Sequence, residues 1–146
     1  MKVEVKIDKN ITETTIIILA KELDDEVYEL QQNIANIKPN AIIGFSGYRL
    51  EFINQDDIVR VYASLGNVYI VTSEKEYRAK STLGELEELL NKHNFLRISR
   101  SDIINLNNVK SFDLSFVGTI SVELINGDTV YVSRRKLKDV KNYLGI

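Results

Sequence analysis

The chain has 146 residues, a net charge of −2, an ordinary globular composition and no cysteine. The length supports one domain, or one domain with an appendage, and the lack of cysteine excludes disulfides, thiol nucleophiles and zinc–thiolate sites. The longest apolar run, Ile16–Ala20, is too short for a transmembrane helix, and Met1–Glu4 does not open a signal peptide. We therefore expect a cytoplasmic protein without membrane insertion.

Residues 1–38 have the pattern of a separate N-terminal β/α segment. Val3–Ile7 alternates apolar and polar residues, as a half-buried strand does, and Thr14–Ala20 is continuously β-branched or apolar, as a more buried strand is. Asp24 can cap a helix that runs to about Ala35. The apolar stripe of this helix comprises Val27, Leu30 and Ile34. We expect this β-β-α segment to act as a dimerisation or regulatory layer.

After Ala41 the sequence changes to short strand patterns separated by turn signals. Strands are predicted over 41–45, 50–53, 58–62, 68–72 and 76–80. Ser64–Asn67 is a tight connection between the third and fourth of these strands. Thr82 and Glu85 have the spacing of a capping box, which predicts a helix from there to about Asn91.

Residues Arg97–Ser101 form a basic segment with two arginines and two serines. Phe95–Leu96 precede it and Ile103–Ile104 follow it, so both ends can be anchored in a core while the polar residues stay at the surface. Guanidinium groups and hydroxyls offer many hydrogen-bond donors, which suit phosphate and the acceptor edge of guanine. A short strand whose arginines point to solvent is the alternative.

The C-terminal residues predict a hairpin and a helix. Strands are expected over 109–114, 119–125 and 128–133, and Asn126–Gly127 between the last two is a strong signal for a type I′ turn. The helix is predicted with Ser133 as its N-cap and with Leu137, Val140 and Leu144 facing inward. Its first turn would then hold three cations, Arg134–Lys136, where the helix dipole favours acids. This arrangement indicates an anion site, and the alternative is three solvated cations.

The charge is unevenly distributed along the chain. Residues 1–91 contain 10 Lys and Arg against 16 Asp and Glu, whereas residues 92–146 contain 9 against 5. The first part therefore carries −6 and the second +4. A basic C-terminal third on an acidic body fits one localised anion-binding face rather than non-specific coating of nucleic acid.

The order of these features resembles the LytTR DNA-binding domain of bacterial transcriptional regulators. The similarity lies in "FLRISRSDIINLNNVKSFD" and, further along, "INGDTVYVSRRKLKDVKNYL". These contain a phenylalanine, a basic polar segment, Ser, two aliphatics and Asn, then a hairpin that ends in a Ser-Arg pair and a short helix. Upstream, "DDIVRVYASLGNVYIVT" and "STLGELEELL" fit the opening strands and the internal helix.

The resemblance covers about residues 40–146 and implies a LytTR-like DNA-binding domain. The implied fold class is mainly β (α+β), a stack of small antiparallel sheets with a few short helices, to which the N-terminal β-β-α segment is added. Most members carry a phosphorylatable receiver domain, and residues 1–38 are too short to form one.

The resemblance also implies that loops, rather than a recognition helix, read the major groove. Contacts would come from Ser64–Tyr69, Arg97–Ser101 and Arg134–Lys136. By motif register, the base-contacting positions fall on Arg100 and Arg135, and more loosely on Asn67. Some members carry asparagine at position 100, so the arginine here favours guanine over adenine. The expected DNA-binding residues are Ser64, Asn67, Arg97, Ser99, Arg100, Ser101, Arg134, Arg135 and Lys136.

The resulting hypothesis is a sequence-specific DNA-binding transcription factor with double-stranded DNA as its partner. By analogy, it would bind promoter direct repeats as a homodimer. No Gly-rich phosphate loop, metal-ligand spacing or Ser/His/Asp set is present, so we expect no enzyme activity, no cofactor and no metal. The alternative is a non-enzymatic protein-interaction module that retains the LytTR fold and binds a partner through its acidic N-terminal segment.

Overall fold

The computed structural model describes residues 1–35 and 41–146. The chain divides into two units, residues 1–37 and residues 38–146. The described part of the N-terminal unit contains one helix, α1 (Asp25–Ala35). No helix in the described ranges is both long and apolar enough to cross a membrane.

The described part of the C-terminal unit, residues 41–146, is built mainly from strands. The elements in chain order are β1 (Ile42–Ser46), β2 (Arg49–Ile53), β3 (Ile58–Ser64), β4 (Asn67–Thr72), β5 (Glu76–Ala79), α2 (Leu83–Leu89), β6 (Phe95–Arg97), β7 (Asp102–Asn105), β8 (Val109–Asp113), β9 (Ser121–Leu124), β10 (Thr129–Tyr131) and α3 (Leu137–Leu144). Seven strands form one sheet in the order β2-β1-β5-β4-β3-β7-β6, and β10-β9-β8 form a second. Both sheets are antiparallel, which confirms the predicted fold class for this unit.

Two apolar clusters stabilise the C-terminal unit. In the first, residues of the seven-stranded sheet such as Val61 and Ile103 pack with Leu86 of α2. In the second, Ile104 packs with residues of the three-stranded sheet and with Val140 of α3. The predicted inward positions of α3 are confirmed, because Val140 is buried and its neighbours Leu137 and Leu144 pack against the same cluster.

A β-bulge in β3 determines which cluster each of its residues enters. The register between β3 and β4 shifts between Ile58 and Arg60. Ile58 and Val61 both belong to the first cluster although they are three positions apart, and Val59 belongs to the second. In a regular strand Ile58 and Val61 would face opposite sides, and the extra residue of the bulge brings them to the same side. Arg60 lies beside Tyr62, with its guanidinium carbon 4.3 Å from the centre of the tyrosine ring. The bulge therefore places a cation against the beginning of β7, which pairs with this part of β3.

Asn105, at the end of β7, is the Asn that follows two aliphatics in the family motif. It is only 1% exposed. Its Nδ2 donates to the carbonyl of Ile58 at 2.9 Å, and its Oδ1 accepts from the amide of Asn107 at 3.0 Å. Asn108 donates to the same Ile58 carbonyl at 2.8 Å. The motif asparagine therefore supports the junction between β3 and β7.

The two strands predicted in the N-terminal unit are not formed. Residues 3–7 and 14–20 have no regular secondary structure, and the chain between them makes a turn in which the Ile11 amide donates to the Asp8 carbonyl at 3.3 Å. A strand needs a partner for its backbone N–H and C=O groups, and the described residues provide none. The predicted helix is confirmed as α1, with the Val27 amide bonded to Asp24 Oδ1 at 2.9 Å. The predicted boundary at residues 38–40 lies outside the described residues.

The Asn126–Gly127 hairpin is confirmed, but its turn is not type I′. Gly127 has φ 93, whereas Asn126 does not have a positive φ, and the Gly127 amide donates to the Leu124 carbonyl at 3.0 Å. This is a three-residue loop with glycine in the left-handed position. Two consecutive positive φ angles, 52° and 81°, occur instead at Leu65 and Gly66, between β3 and β4.

Candidate DNA interface

The basic segment is the loop of the β6–β7 hairpin. Leu96 pairs with Ile104 and Arg97 with Ile103, so the apolar flanks predicted from the sequence are the two strands of this hairpin. Ile98, inside the loop, is fully buried in the second cluster. The loop is therefore anchored at its base by paired strands and from within by one side chain.

Two backbone hydrogen bonds join this loop to the other two predicted contact regions. The Ala63 amide, just before the β3–β4 turn, donates to the Ser101 carbonyl at 2.9 Å. The Ser133 amide, just before the Arg134–Lys136 turn, donates to the Ile98 carbonyl at 2.9 Å. We refer to Ser64–Asn67, Arg97–Ser101 and Arg134–Lys136 together as the loop edge. The fold brings all three regions to one end of the seven-stranded sheet.

The β3–β4 turn exposes a leucine at its tip. Ser64 pairs with Asn67, and the two residues between them complete the tight turn. Leu65 is 99% exposed and has the left-handed conformation that L-residues with large side chains rarely adopt. Asn67 Oδ1 accepts a hydrogen bond from Arg78 of β5. Sequence reasoning did not single out Leu65 within Ser64–Tyr69. It missed Arg78, because the position of Arg78 depends on the β4–β5 pairing.

Arg97 uses its guanidinium to hold the loop. Nε donates to the Ser99 carbonyl at 2.9 Å, and Nη2 donates to the Arg100 carbonyl at 2.5 Å. Nη1 pairs with Glu87 of α2 at 2.9 Å, and the Arg97 side chain is 22% exposed. The two contacts to carbonyls close the loop around the arginine, and the third fixes the loop to α2.

Arg100, in contrast, is exposed at the tip of the loop. Within residues 1–35 and 41–146 its side chain makes no hydrogen bond or ion pair, so its guanidinium donors are available to a ligand. The two serines make internal bonds. Ser99 Oγ accepts from the Ser101 amide at 3.2 Å, and Ser101 Oγ donates to Asp102 Oδ2 at 3.3 Å. Ser99 Oγ also lies 3.4 Å from the same Asp102 oxygen.

Arg60 connects the loop edge to the three-stranded sheet. Its Nη1 pairs with Asp102 Oδ1 at 2.7 Å, and its Nε pairs with Asp128 Oδ2 at 3.2 Å. The Tyr62 ring lies against the Arg60 guanidinium. Partial burial and a hydrogen bond to Glu76 raise the pKa of Tyr62 to about 12. Sequence reasoning missed Arg60, since its orientation results from the bulge in β3.

Arg134–Lys136 form a 3₁₀ turn before α3, and not the first turn of that helix. The Ser133 side chain makes no capping bond, so the predicted N-cap is wrong. α3 begins at Leu137 with Lys136 as its N-cap residue, and Asp139 in its first turn carries the negative charge that the helix dipole favours there. The cations nevertheless remain at the loop edge, where Arg134 and Arg135 are exposed and Lys136 is half-buried.

The family is shown by comparison with known proteins. The model of the LytTr DNA-binding domain matches residues 48–145, which include the whole loop edge. The chain belongs to this family. Members of the LytTR family are DNA-binding domains.

Relatives from Staphylococcus aureus match the chain from end to end. Uncharacterized HTH-type transcriptional regulators of strains NCTC 8325 / PS 47 and MRSA252 are 32% identical over 147 residues, covering 100% of this chain and 99% of theirs. The fold is similar to the LytTr DNA-binding domain of a protein from Bacillus cereus described as a methyl-accepting/DNA response regulator. That match has a TM-score of 0.70 and 24% identity and covers 73% of this chain and 97% of the other.

The arrangement of the helices decides whether this domain contains a helix-turn-helix motif. A helix-turn-helix motif needs two helices joined by a short turn. In residues 41–146, however, α2 and α3 are separated by the five strands β6–β10. The described part of the LytTR domain therefore contains no such pair, and the exposed arginines of the loop edge, Arg100, Arg134 and Arg135, lie outside its α-helices.

Proposed function

We propose that the protein is a sequence-specific transcriptional regulator that reads the major groove of double-stranded DNA with its loop edge. The observation that supports this most is the joining of three separate loops by the backbone bonds at Ala63 and Ser133. Cations on two of these loops and polar groups on the third share one edge, so they can contact phosphates and bases of one duplex together.

Arg100 is proposed to read guanine. Its side chain is free in the described structure, while its own carbonyl is held by Arg97 at 2.5 Å. A guanidinium that starts from a fixed backbone position can form a bidentate pair with guanine O6 and N7 at a smaller entropic cost.

The other residues of the loop edge are proposed to contact bases, to contact phosphates or to hold the loops in place. Arg135 is proposed to contact a second base, and Asn67 to contact a base from the β3–β4 turn, where Arg78 supports it. Arg134 and Lys136 suit phosphates. Ser64 and Ser101 are exposed hydroxyls that can donate to phosphate oxygens, whereas Ser99 and Arg97 hold the loop in place.

The protein is further proposed to act in the cytoplasm as a homodimer on promoter direct repeats. Two weakly binding loop edges on one DNA molecule gain affinity because the second contact becomes intramolecular. Neither a cofactor nor a catalytic residue has a role in this function.

Binding to the DNA upstream of the protein's own coding sequence tests the proposal. Fluorescence anisotropy should show binding that weakens as salt rises, with a log–log slope on the order of −0.9 for each neutralised phosphate. Four or five cations at the loop edge give an expected slope of about −4. Scrambled DNA of equal length is the control. No binding to any duplex, or binding that does not respond to salt, would contradict the proposal and favour the protein-interaction module.

A further inference from the structure

The N-terminal unit exposes an alternating apolar segment. Val3, Val5 and Ile7 are 82%, 82% and 86% exposed, and the described residues offer residues 3–7 no strand to pair with. An unpaired segment with this alternation has free backbone donors and acceptors along both sides and one apolar face. It is therefore suited to pairing with another strand.

The sequence of this segment is complementary to itself in one antiparallel register. When two copies are centred on Val5, Val3 lies opposite Ile7 of the second copy and Val5 lies opposite Val5. On the other face, Glu4 lies opposite Lys6 of the second copy. At the ends, Lys2 lies opposite Asp8 of the second copy. Two-fold symmetry repeats every such pair, so opposite charges meet four times.

Neighbouring registers lack this match. Centring the pair on Glu4 puts Glu4 opposite Glu4 and Lys2 opposite Lys6, and centring it on Lys6 puts Lys6 opposite Lys6 and Glu4 opposite Asp8. A shift by one residue places valine opposite charged residues on the same face. An in-register parallel pair again brings identical charges together. Of these registers, only the antiparallel one centred on Val5 brings opposite charges together while it keeps the apolar residues opposite one another.

We propose that the protein forms a homodimer in which residues 3–7 of two copies pair as antiparallel strands centred on Val5. The occupant of this strand edge is thus a second copy of the same chain. The relatives from Staphylococcus aureus match over the full 147 residues, so their similarity extends beyond the DNA-binding domain into this segment. The proposal concerns the protein in the absence of DNA.

The turn after residues 3–7 allows each copy to contribute a second strand to the proposed sheet. The bonds from the Ile11 and Asn10 amides to Asp8 form a turn over residues 8–11, between residues 3–7 and 14–20. Ile16, Ile17 and Leu19 in the second segment are also exposed. Each copy can therefore add residues 14–20 as an outer strand, which gives four strands in place of a pair that would be marginal alone.

Single cysteines test the register, because the natural chain has none. In the full chain, Val5→Cys should form a covalent dimer under mild oxidation, since opposite residues lie about 4.5–5.5 Å apart between Cα atoms. Val3→Cys is the matched control. Position 3 lies about four residues, or roughly 13 Å, from position 3 of the second copy, too far for a disulfide. The double variant Val3→Cys/Ile7→Cys should cross-link again. Equal cross-linking of Val3→Cys and Val5→Cys would overturn the register.

Charge reversal tests the pairing without cysteine. In sedimentation equilibrium, Glu4→Lys or Lys6→Glu should raise the dimer Kd on the order of tenfold, and Glu4→Lys/Lys6→Glu should restore it. Glu13→Lys, outside the segment, should leave it unchanged. A monomeric wild-type chain, or a double variant no better than the single ones, would overturn the proposal. Neither experiment contains DNA, so the result is independent of whether the loop edge binds it.

Discussion

The loop edge and the strands β3 and β7 that carry it contain a supporting layer and an exposed layer, and the two layers differ in how their polar groups are used. Arg60, Arg97 and Asn105 direct their donors to carbonyls and carboxylates within the protein. Arg100 and Leu65 lie at the tips with their side chains open to solvent. Two arginines three positions apart in one motif therefore have different tasks. Substitutions in the first layer should affect folding, and those in the second should affect DNA binding.

The largest expected effect is on the supporting layer, at Asn105. Asn105→Ala removes the bonds to the Ile58 carbonyl and the Asn107 amide inside the protein. Asn108 still donates to the Ile58 carbonyl, but the Asn107 amide loses its partner and the buried side chain leaves a cavity, so the free energy of unfolding should fall by about 2–3 kcal/mol in urea titrations. The control is Asn107→Ala at an exposed position, where a change within about 0.5 kcal/mol is expected. Equal stability of the two variants would show that Asn105 does not support the β3–β7 junction.

In the exposed layer, Arg100→Ala should change specificity and leave stability intact. An arginine–guanine pair contributes about 1–3 kcal/mol of discrimination, so preference at one base position should disappear. Stability should change by no more than about 0.5 kcal/mol, because the side chain is exposed. The measurement is the Kd of wild type and variant for operators that differ at single base pairs. Wild-type discrimination at every position would mean that Arg100 contacts phosphate or solvent.

Arg97→Ala tests the boundary between the two layers. The change removes three hydrogen bonds of a partly exposed group, and we expect a loss of about 1–2 kcal/mol in the free energy of unfolding. DNA binding should weaken for all sequences, and any loss of base preference should fall at the position that Arg100 reads, since the Arg100 carbonyl loses its support. Arg97→Lys is the control, because lysine keeps the charge but cannot span Ser99, Arg100 and Glu87 at once. If Arg97→Ala instead altered the preference at a base pair other than the one that Arg100 reads, then Arg97 would contact a base itself and would belong to the exposed layer.

Features that depend on neighbouring residues were predictable from the sequence. The capping box of α2 is present, with the Glu85 amide bonded to Thr82 Oγ1 at 3.1 Å, and so are the apolar stripe of α3 and the hairpin at Asn126–Gly127. These depend on spacings of two to seven residues, which a sequence displays directly.

Features that depend on distant pairing were not predictable. The bulge at Val59 and the orientation of Arg60 follow from registers with β4 and β7, which alternation alone does not encode. The apolar pattern of residues 3–7 and 14–20 indicates an ability to form strands, but pairing needs a partner that the described chain lacks. The joining of the three loops was expected only from the family resemblance.

The smallest expected effect concerns Leu65, at the tip of the β3–β4 turn. Its φ of 52° is unfavourable for leucine, and asparagine tolerates this conformation better. Because the leucine side chain is exposed, Leu65→Asn loses no packing and should raise the free energy of unfolding by about 0.5–1 kcal/mol.

A residue whose backbone is strained at a proposed contact surface suggests that its side chain has a function there, and an apolar side chain at the tip of the turn can contact the methyl group of thymine. We therefore expect Leu65→Asn to be more stable but to lose preference for one A·T pair, measured by urea titration and by binding to single-base operator variants. Leu65→Gly, which removes both the strain and the side chain, is the control and should behave in the same way toward DNA. If Leu65→Asn is more stable and keeps every base preference, the turn has only a structural role and the exposed layer begins at Arg100.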